Sequence, residues 1–149
     1  MSHSFTAVRI HYVFSTKERM HVIAKGIQPR LWAFIGGIAK TNGMVPIAIG
    51  GVEDHAHALI GLPAQMSVAK GVQLLKAGSS KFMNESISKA RFEWQKGYFA
   101  GSVSASMIKP TVAYIAKQEA HHKRQSFEDE LRELLEKHGV EFNPDDYLG

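Results

Sequence analysis

Cysteine is absent from the 149 residues, which excludes a disulfide framework, a thiolate metal site and a thiol nucleophile. No apolar run approaches the roughly 20 residues of a membrane span. The first residues, Met1 to Phe5, lack the charged and apolar regions of a secretory signal. These absences lead us to expect a cytoplasmic protein without membrane association. Repeats, low-complexity segments and long linkers are also missing, and the length suits one domain better than two. Neither sign of charge dominates. Lys and Arg number 18 against 14 Asp and Glu, giving a net charge of +4 and a pI near 9.4. That basic bias is compatible with a polyanionic partner but does not require one. Histidine is what the chain has in quantity, with 8 residues.

Periodicity sets the organisation. Thr6 to Ser15 alternates Val8, Ile10, Tyr12 and Phe14 with Arg9, His11 and Val13, as a half-buried strand does. Pro29 suits the first turn of a helix carrying Leu31, Trp32, Ile35 and Ile38, ending near Asn42-Gly43. Met44 to Ile49 reads as a strand, and Gly50 to Asp54 as the turn into another, His55 to Leu62, which Pro63 stops. Ser67 caps a helix that runs to about Asn84, and Tyr98 to Val103 is a short strand. A helix with Pro110 in its first turn continues to about His122. Ser126 then caps a last amphipathic helix, which Gly139 ends. The order β-α-β-β-α-β followed by two helices predicts an α+β, ferredoxin-like fold with a four-stranded antiparallel sheet. One sheet face is then free for the extra helices or a partner. Residues 1–149 form a single domain: a body over about 1–104, the C-terminal helices over about 105–139, and a tail over 140–149.

Two groups of residues carry chemistry. His55-Ala56-His57 puts two imidazoles on one face of a strand, because side chains two apart point the same way. Tyr114 and Gln118 are one helical turn apart. Two imidazoles and an amide can close on a divalent ion, and without thiolate the set favours Mg²⁺ or Mn²⁺ over structural Zn²⁺. A phenol beside such an ion can break a nucleic-acid strand by covalent attack. A plainer reading stands beside each. Eight histidines scattered at random give about 0.4 His-x-His pairs, and Tyr114 can be a half-buried tyrosine on an amphipathic helix. His121 and His122 could contact phosphate, or simply meet the helix dipole and solvent. Lys76, Ser79 and Ser80 could line a DNA backbone or a solvated helix face. Tyr12 and Phe14 share a strand face, so a non-catalytic nucleic-acid-binding sheet is also open.

In combination these segments resemble the single-tyrosine HUH transposases of small bacterial insertion sequences, the IS200-like family. HUH denotes His, a hydrophobic residue, His. The resemblance rests on Val13 to Lys17, Gly51 to Ile60, Leu75 to Ser80, Trp94 to Tyr98 and Tyr114 to His122, in the family's order over about residues 6–130. It implies that His55, His57 and Gln118 hold Mg²⁺ or Mn²⁺ and that Tyr114 is the nucleophile. Single-stranded DNA with a stem-loop would be cut, leaving a 5′-phosphotyrosine and a free 3′-OH. The resemblance also implies a homodimer in which the tyrosine helix of one subunit can complete its partner's site. Gly101 to Ser104 would be the joint for that exchange. A relaxase or replication initiator is the alternative within the HUH enzymes.

Overall fold

The computed structural model describes residues 3–87 and 90–143. Its first strand, β1 (Val8–Ser15), keeps the expected alternation: Ile10, Tyr12 and Phe14 enter one core, and Val13 enters another across the sheet. Helix α1 (Gln28–Thr41) has Pro29 in its first turn and gives way to Gly43 at φ 79°. Strands β2 (Val45–Gly51) and β3 (His55–Leu62) follow. Then comes α2 (Val68–Phe82), where the Ser67 hydroxyl accepts from the Lys70 amide at 3.0 Å. A π-helical turn, Met83–Ile87, extends α2, and β4 (Phe99–Ser102) completes the sheet. The strand order is β2-β3-β1-β4 and every pair is antiparallel. This is the ferredoxin-like α+β fold.

Helices α1 and α2 cover one face. Leu31, Ile35 and Ala39 of α1, with Val72 and Leu75 of α2, bury Tyr12, Phe14, Ala56, Ala58 and Ile60. Tyr12 and Phe14 are wholly enclosed, so the sheet offers no aromatic platform there for stacking bases. Trp94 meets Phe14 edge-on at 4.7 Å, and its indole N–H donates to Ser79 Oγ at 2.9 Å. Trp94 is therefore a core anchor.

The C-terminal elements lie on the other face and depart from expectation. Among the described residues three α-helices follow β4: α3 (Ile108–Ala116), α4 (Gln118–His122) and α5 (Phe127–Lys137). The helix expected to run unbroken to His122 stops at Lys117, which has φ −100° and ψ 16°. No proline or glycine marks that break. The Gln118 side chain donates to the Tyr114 carbonyl at 3.4 Å, and the Lys117 amide turns to the same carbonyl at 3.2 Å. Pro110 sits in the first turn of α3, where its missing N–H costs no helical bond. The expected joint is corrected as well, because Gly101 and Ser102 belong to β4. A Cβ on Gly101 would lie 2.7 Å from His138 Cε1, so this glycine gives room to a packed ring. Lys89 and the tail residues 144–149, Tyr147 among them, lie outside the described residues. No described helix is long and apolar enough to cross a membrane.

Candidate active site on the second face of the sheet

Register brings the histidines of this face together. Val13 pairs with His57 and Ser15 with His55, so His11 lies diagonally across from His57. The turn before β3 fixes where the pair begins. Gly51 has φ 155° and its absent Cβ would fall 2.2 Å from the His55 carbonyl oxygen, a position open only to glycine. From the opposite side α3 contributes Tyr114, α4 contributes Gln118, His121 and His122, and α5 contributes Glu130.

Glu130 is the centre of the cluster. It lies on the buried stripe of α5 with Phe127, Leu131 and Leu134, the spacing that stacks residues on one helical face. Its Oε1 is 3.2 Å from His55 Nε2, 3.2 Å from His57 Nε2 and 3.0 Å from His122 Nε2. Its Oε2 accepts the hydroxyl of Tyr114. Gln118 Oε1 is 3.2 Å from His55 Nε2. His121 Nε2 approaches Glu130 Oε2 at 3.5 Å but, although buried, makes no hydrogen bond. The solvent-facing reading of His121 and His122 is thus overturned: both turn inward.

The electrostatics follow from burial and these contacts. Burial alone would raise the Glu130 pKa, but hydrogen bonds from His122, His55 and His57 hold it well below the carboxylate range. Burial works against a charged His55 too, yet Asp54 at 2.7 Å and Glu130 raise its pKa to about 9. Burial lowers His57 to about 4 and His11 to about 3, so both are neutral. His11 Nε2 lies 2.8 Å from His57 Nδ1. Burial, then the bond to Glu130 and its charge, push the Tyr114 phenol far above its usual value.

The donors fit a divalent ion. His55, His122 and Glu130 each present a ligand atom within 4.8 Å of the others, and His57 and Gln118 reach the same centre through the contacts above. A carboxylate, an amide oxygen and imidazole nitrogens converge there without a thiolate. Glu130, His11 and Asp54 were not singled out from the sequence. The readable signal for Glu130 is a carboxylate inside an otherwise apolar helical stripe. For His11 it is a place on the same strand face as Val13, opposite the His55–His57 strand.

The comparisons with known proteins bear on this geometry. The family described as "Transposase IS200 like" matches residues 4–118. The chain belongs to the IS200-like transposase family. It is thus a transposase, an enzyme of DNA transposition. No curated protein sequence matches it significantly. Among solved structures it is similar to a candidate transposase from Deinococcus radiodurans R1, with 23% identity, TM-score 0.63, and coverage of 79% of this chain and 95% of that one. It is also similar to a REP-associated tyrosine transposase bound to a REP hairpin, with 13% identity, TM-score 0.60, and coverage of 99% and 95%. At these identities the likenesses speak for the fold.

Lys76, Ser79 and Ser80 lie away from this cluster. The Lys76 ammonium donates to the carbonyls of Gln95, Lys96 and Gly97, Ser79 is buried beneath Trp94, and Ser80 Oγ reaches the Phe92 carbonyl at 3.4 Å. Lys76 and Ser80 nevertheless line a cleft of about 350 Å³ with Lys17, Arg91, Lys96 and Glu93.

Proposed function

We propose that this transposase cuts and rejoins single-stranded DNA with Tyr114 as the nucleophile and Mg²⁺ or Mn²⁺ held by His55, His57 and Gln118, with His122 and Glu130 as further donors. The observation that carries the reading is the shared carboxylate: Glu130 touches both strand histidines and also accepts the Tyr114 hydroxyl. The nitrogen-rich donor set favours Mn²⁺ of the two ions.

Attack forms a bond from the Tyr114 oxygen to phosphorus and breaks the bond from phosphorus to the 3′ oxygen. The products are a 5′-phosphotyrosine and a free 3′-OH. The Glu130 carboxylate, which accepts the Tyr114 hydroxyl, orients the attacking oxygen while the phenol proton passes to water, and the half-buried His121, whose Nε2 makes no hydrogen bond, is placed to exchange a proton with the leaving oxygen. Because the phosphotyrosine retains the ester bond, the reverse attack rejoins DNA without a nucleotide cofactor. A bound divalent ion would polarise the phosphate and offset charge on the leaving oxygen. Without it, burial and Glu130 keep the phenol protonated, so the nucleophile rests in its unreactive form.

The partner is single-stranded DNA carrying a stem-loop. The similar REP-associated transposase is bound to a hairpin, and the cleft with Lys17, Lys76, Arg91 and Lys96 supplies cations for stem phosphates. A homodimer belongs to the same reading. A purely binding sheet is less favoured, since Tyr12 and Phe14 are enclosed.

The test is covalent capture. Wild-type protein incubated with labelled hairpin DNA and Mn²⁺ should, in denaturing electrophoresis, carry the 5′ end of the downstream fragment. Tyr114→Phe should bind the hairpin and yield no adduct, and chelator should abolish it in the wild type. An adduct that survives in Tyr114→Phe, or maps to Tyr98, overturns the assignment.

A further inference from the structure

A groove of about 510 Å³ runs between α3 and α5 and is lined in part by Tyr114 and Glu130. Its floor is His11 and the end of β4, one wall is Met107, Pro110 and Thr111 of the α3 side, and the other is Glu133, Leu134 and Lys137 of α5. We infer that this groove holds the base of a nucleotide adjoining the scissile phosphate, and that Glu133 selects a base bearing an exocyclic amine. The inference rests on the cleavage reading above and adds a specificity residue to it.

Four observations lead there. The first is position: a phosphorus within reach of the Tyr114 oxygen brings its two flanking nucleotides to the mouth of this groove. The second is size, since small-ligand sites run from about 300 to about 1,000 Å³ and the groove, at about 510 Å³, falls in that range. The third is the lining. Met107, Pro110 and Leu134 give apolar surface, while the His11 and His138 rings add flat imidazole walls on which a base can stack. His138 is held in place by Phe99, at 5.3 Å between rings, and by the space Gly101 leaves for it.

The fourth is charge, which decides which part of the nucleotide enters. Glu130 and Glu133 face the groove against one cation, Lys137. Glu130 is engaged by His55, His57 and His122, whereas Glu133 has no such imidazoles around it and repels a phosphate, so the phosphate stays at the histidine cluster and the neutral base takes the groove. The side chains of Glu133 and Lys137 make no hydrogen bond or ion pair with a described residue. A free carboxylate accepts hydrogen bonds and donates none. Guanine, adenine and cytosine each offer it an amino group, whereas thymine flanks its only ring N–H with two carbonyl oxygens. Lys137, one turn beyond Glu133, remains available to the next phosphate.

The experiment uses the full-length protein, Mn²⁺ and a pool of hairpins whose flanking single strands are randomised. Covalent adducts are collected under denaturing conditions and the DNA on both sides of the cut is sequenced. In the wild type, one position next to the cut should show thymine depleted by at least about fivefold against the other bases. Glu133→Leu should flatten the preference at that position alone. Ser104→Trp, which fills the groove from its exposed rim, should lower adduct yield with every base there. Adducts without a thymine bias, or a bias that Glu133→Leu leaves intact, overturn the groove assignment while leaving cleavage by Tyr114 standing. Absence of any adduct overturns the cleavage reading and this inference together.

Discussion

Each strand histidine offers Nε2 to the cluster, and the partner of its Nδ1 decides whether that nitrogen can act as a ligand. For His55 the partner is the Asp54 carboxylate, which accepts and so fixes the proton on Nδ1. For His57 the partner is another imidazole, His11. In the metal-free protein His57 Nε2–H donates to Glu130, so His57 Nδ1 accepts from His11 Nε2–H. Were Nε2 to bind an ion, the pair would change tautomers, with His57 Nδ1–H donating to His11. We therefore expect His11→Ala to weaken Mn²⁺ binding about tenfold or more, measured by titration calorimetry on protein that stays folded. Unchanged affinity would remove this role from His11. The same residues set a pH profile. His57 and His11 are depressed from 6.5 to about 4 and about 3. Their contribution is complete above 6.5 and is lost as pH falls through those values. His55 is raised to about 9, so its contribution is complete below 6.5 and is lost as pH rises through 9. Thermal melts in chelator should peak near neutrality and fall on both sides. Mn²⁺, which replaces the proton on His55, should raise Tm more at about pH 8.5 than at about pH 6. An equal shift at both would show that His55 is not protonated in the metal-free protein.

At the scale of elements, β3 was legible to the residue because Gly51 and Pro63 bracket an apolar run with a known period. The capped helix α5 was legible for similar reasons: Ser126 accepts from the Asp129 amide and Gly139 takes φ 66°. What the sequence hid was tertiary. The α3–α4 break depends on a side-chain amide reaching the Tyr114 carbonyl, and propensity carries no sign of that contact. Glu130 looked like one acid among three in the first turn of α5, until packing put it on the inner face. The strand pair His55–His57 and Tyr114 were visible as motifs, whereas the residues that orient them needed register and helix docking. The docking of α3 has its own weak point. A Cβ on Gly50 would lie 3.0 Å from Ile115 Cγ2 and 3.1 Å from the Ile115 carbonyl oxygen. The side chain can rotate away but the carbonyl cannot. Gly50→Val should therefore lift the tyrosine segment off β2, costing about 1–3 kcal/mol in denaturant unfolding, and should suppress adduct formation more than hairpin binding. Full adduct yield in that variant would show that this contact does not position Tyr114.

Across the whole molecule, the question is whether the proposed nucleophile and the proposed metal ligands come from one chain or two. The family resemblance implies that the tyrosine helix can complete the partner's site, with Gly101 to Ser104 as the joint for exchange. In the structure half of that joint is strand, and its glycine is filled by His138. Tyr114 reaches Glu130, and through that carboxylate His55 and His57, within one chain, and α3 packs on β2 of the same chain through Ile115. Two surface ion pairs, Arg19 with Glu128 and Lys25 with Glu119 at 2.9 Å, tie α5 and α4 back to the segment before α1. Such pairs add little energy each, but they bias the C-terminal helices toward their own sheet. A site assembled in this way makes a clear forecast for mixed subunits. Equimolar His57→Ala and Tyr114→Phe proteins, unfolded together and refolded, should form no more adduct than either alone, whatever the oligomeric state. Recovery toward a quarter or more of wild-type yield would mean that the tyrosine helix crosses to the partner during the reaction. In that case the contacts of Gly50 with Ile115 and of Glu130 with Tyr114 belong to a resting state that must open before cleavage.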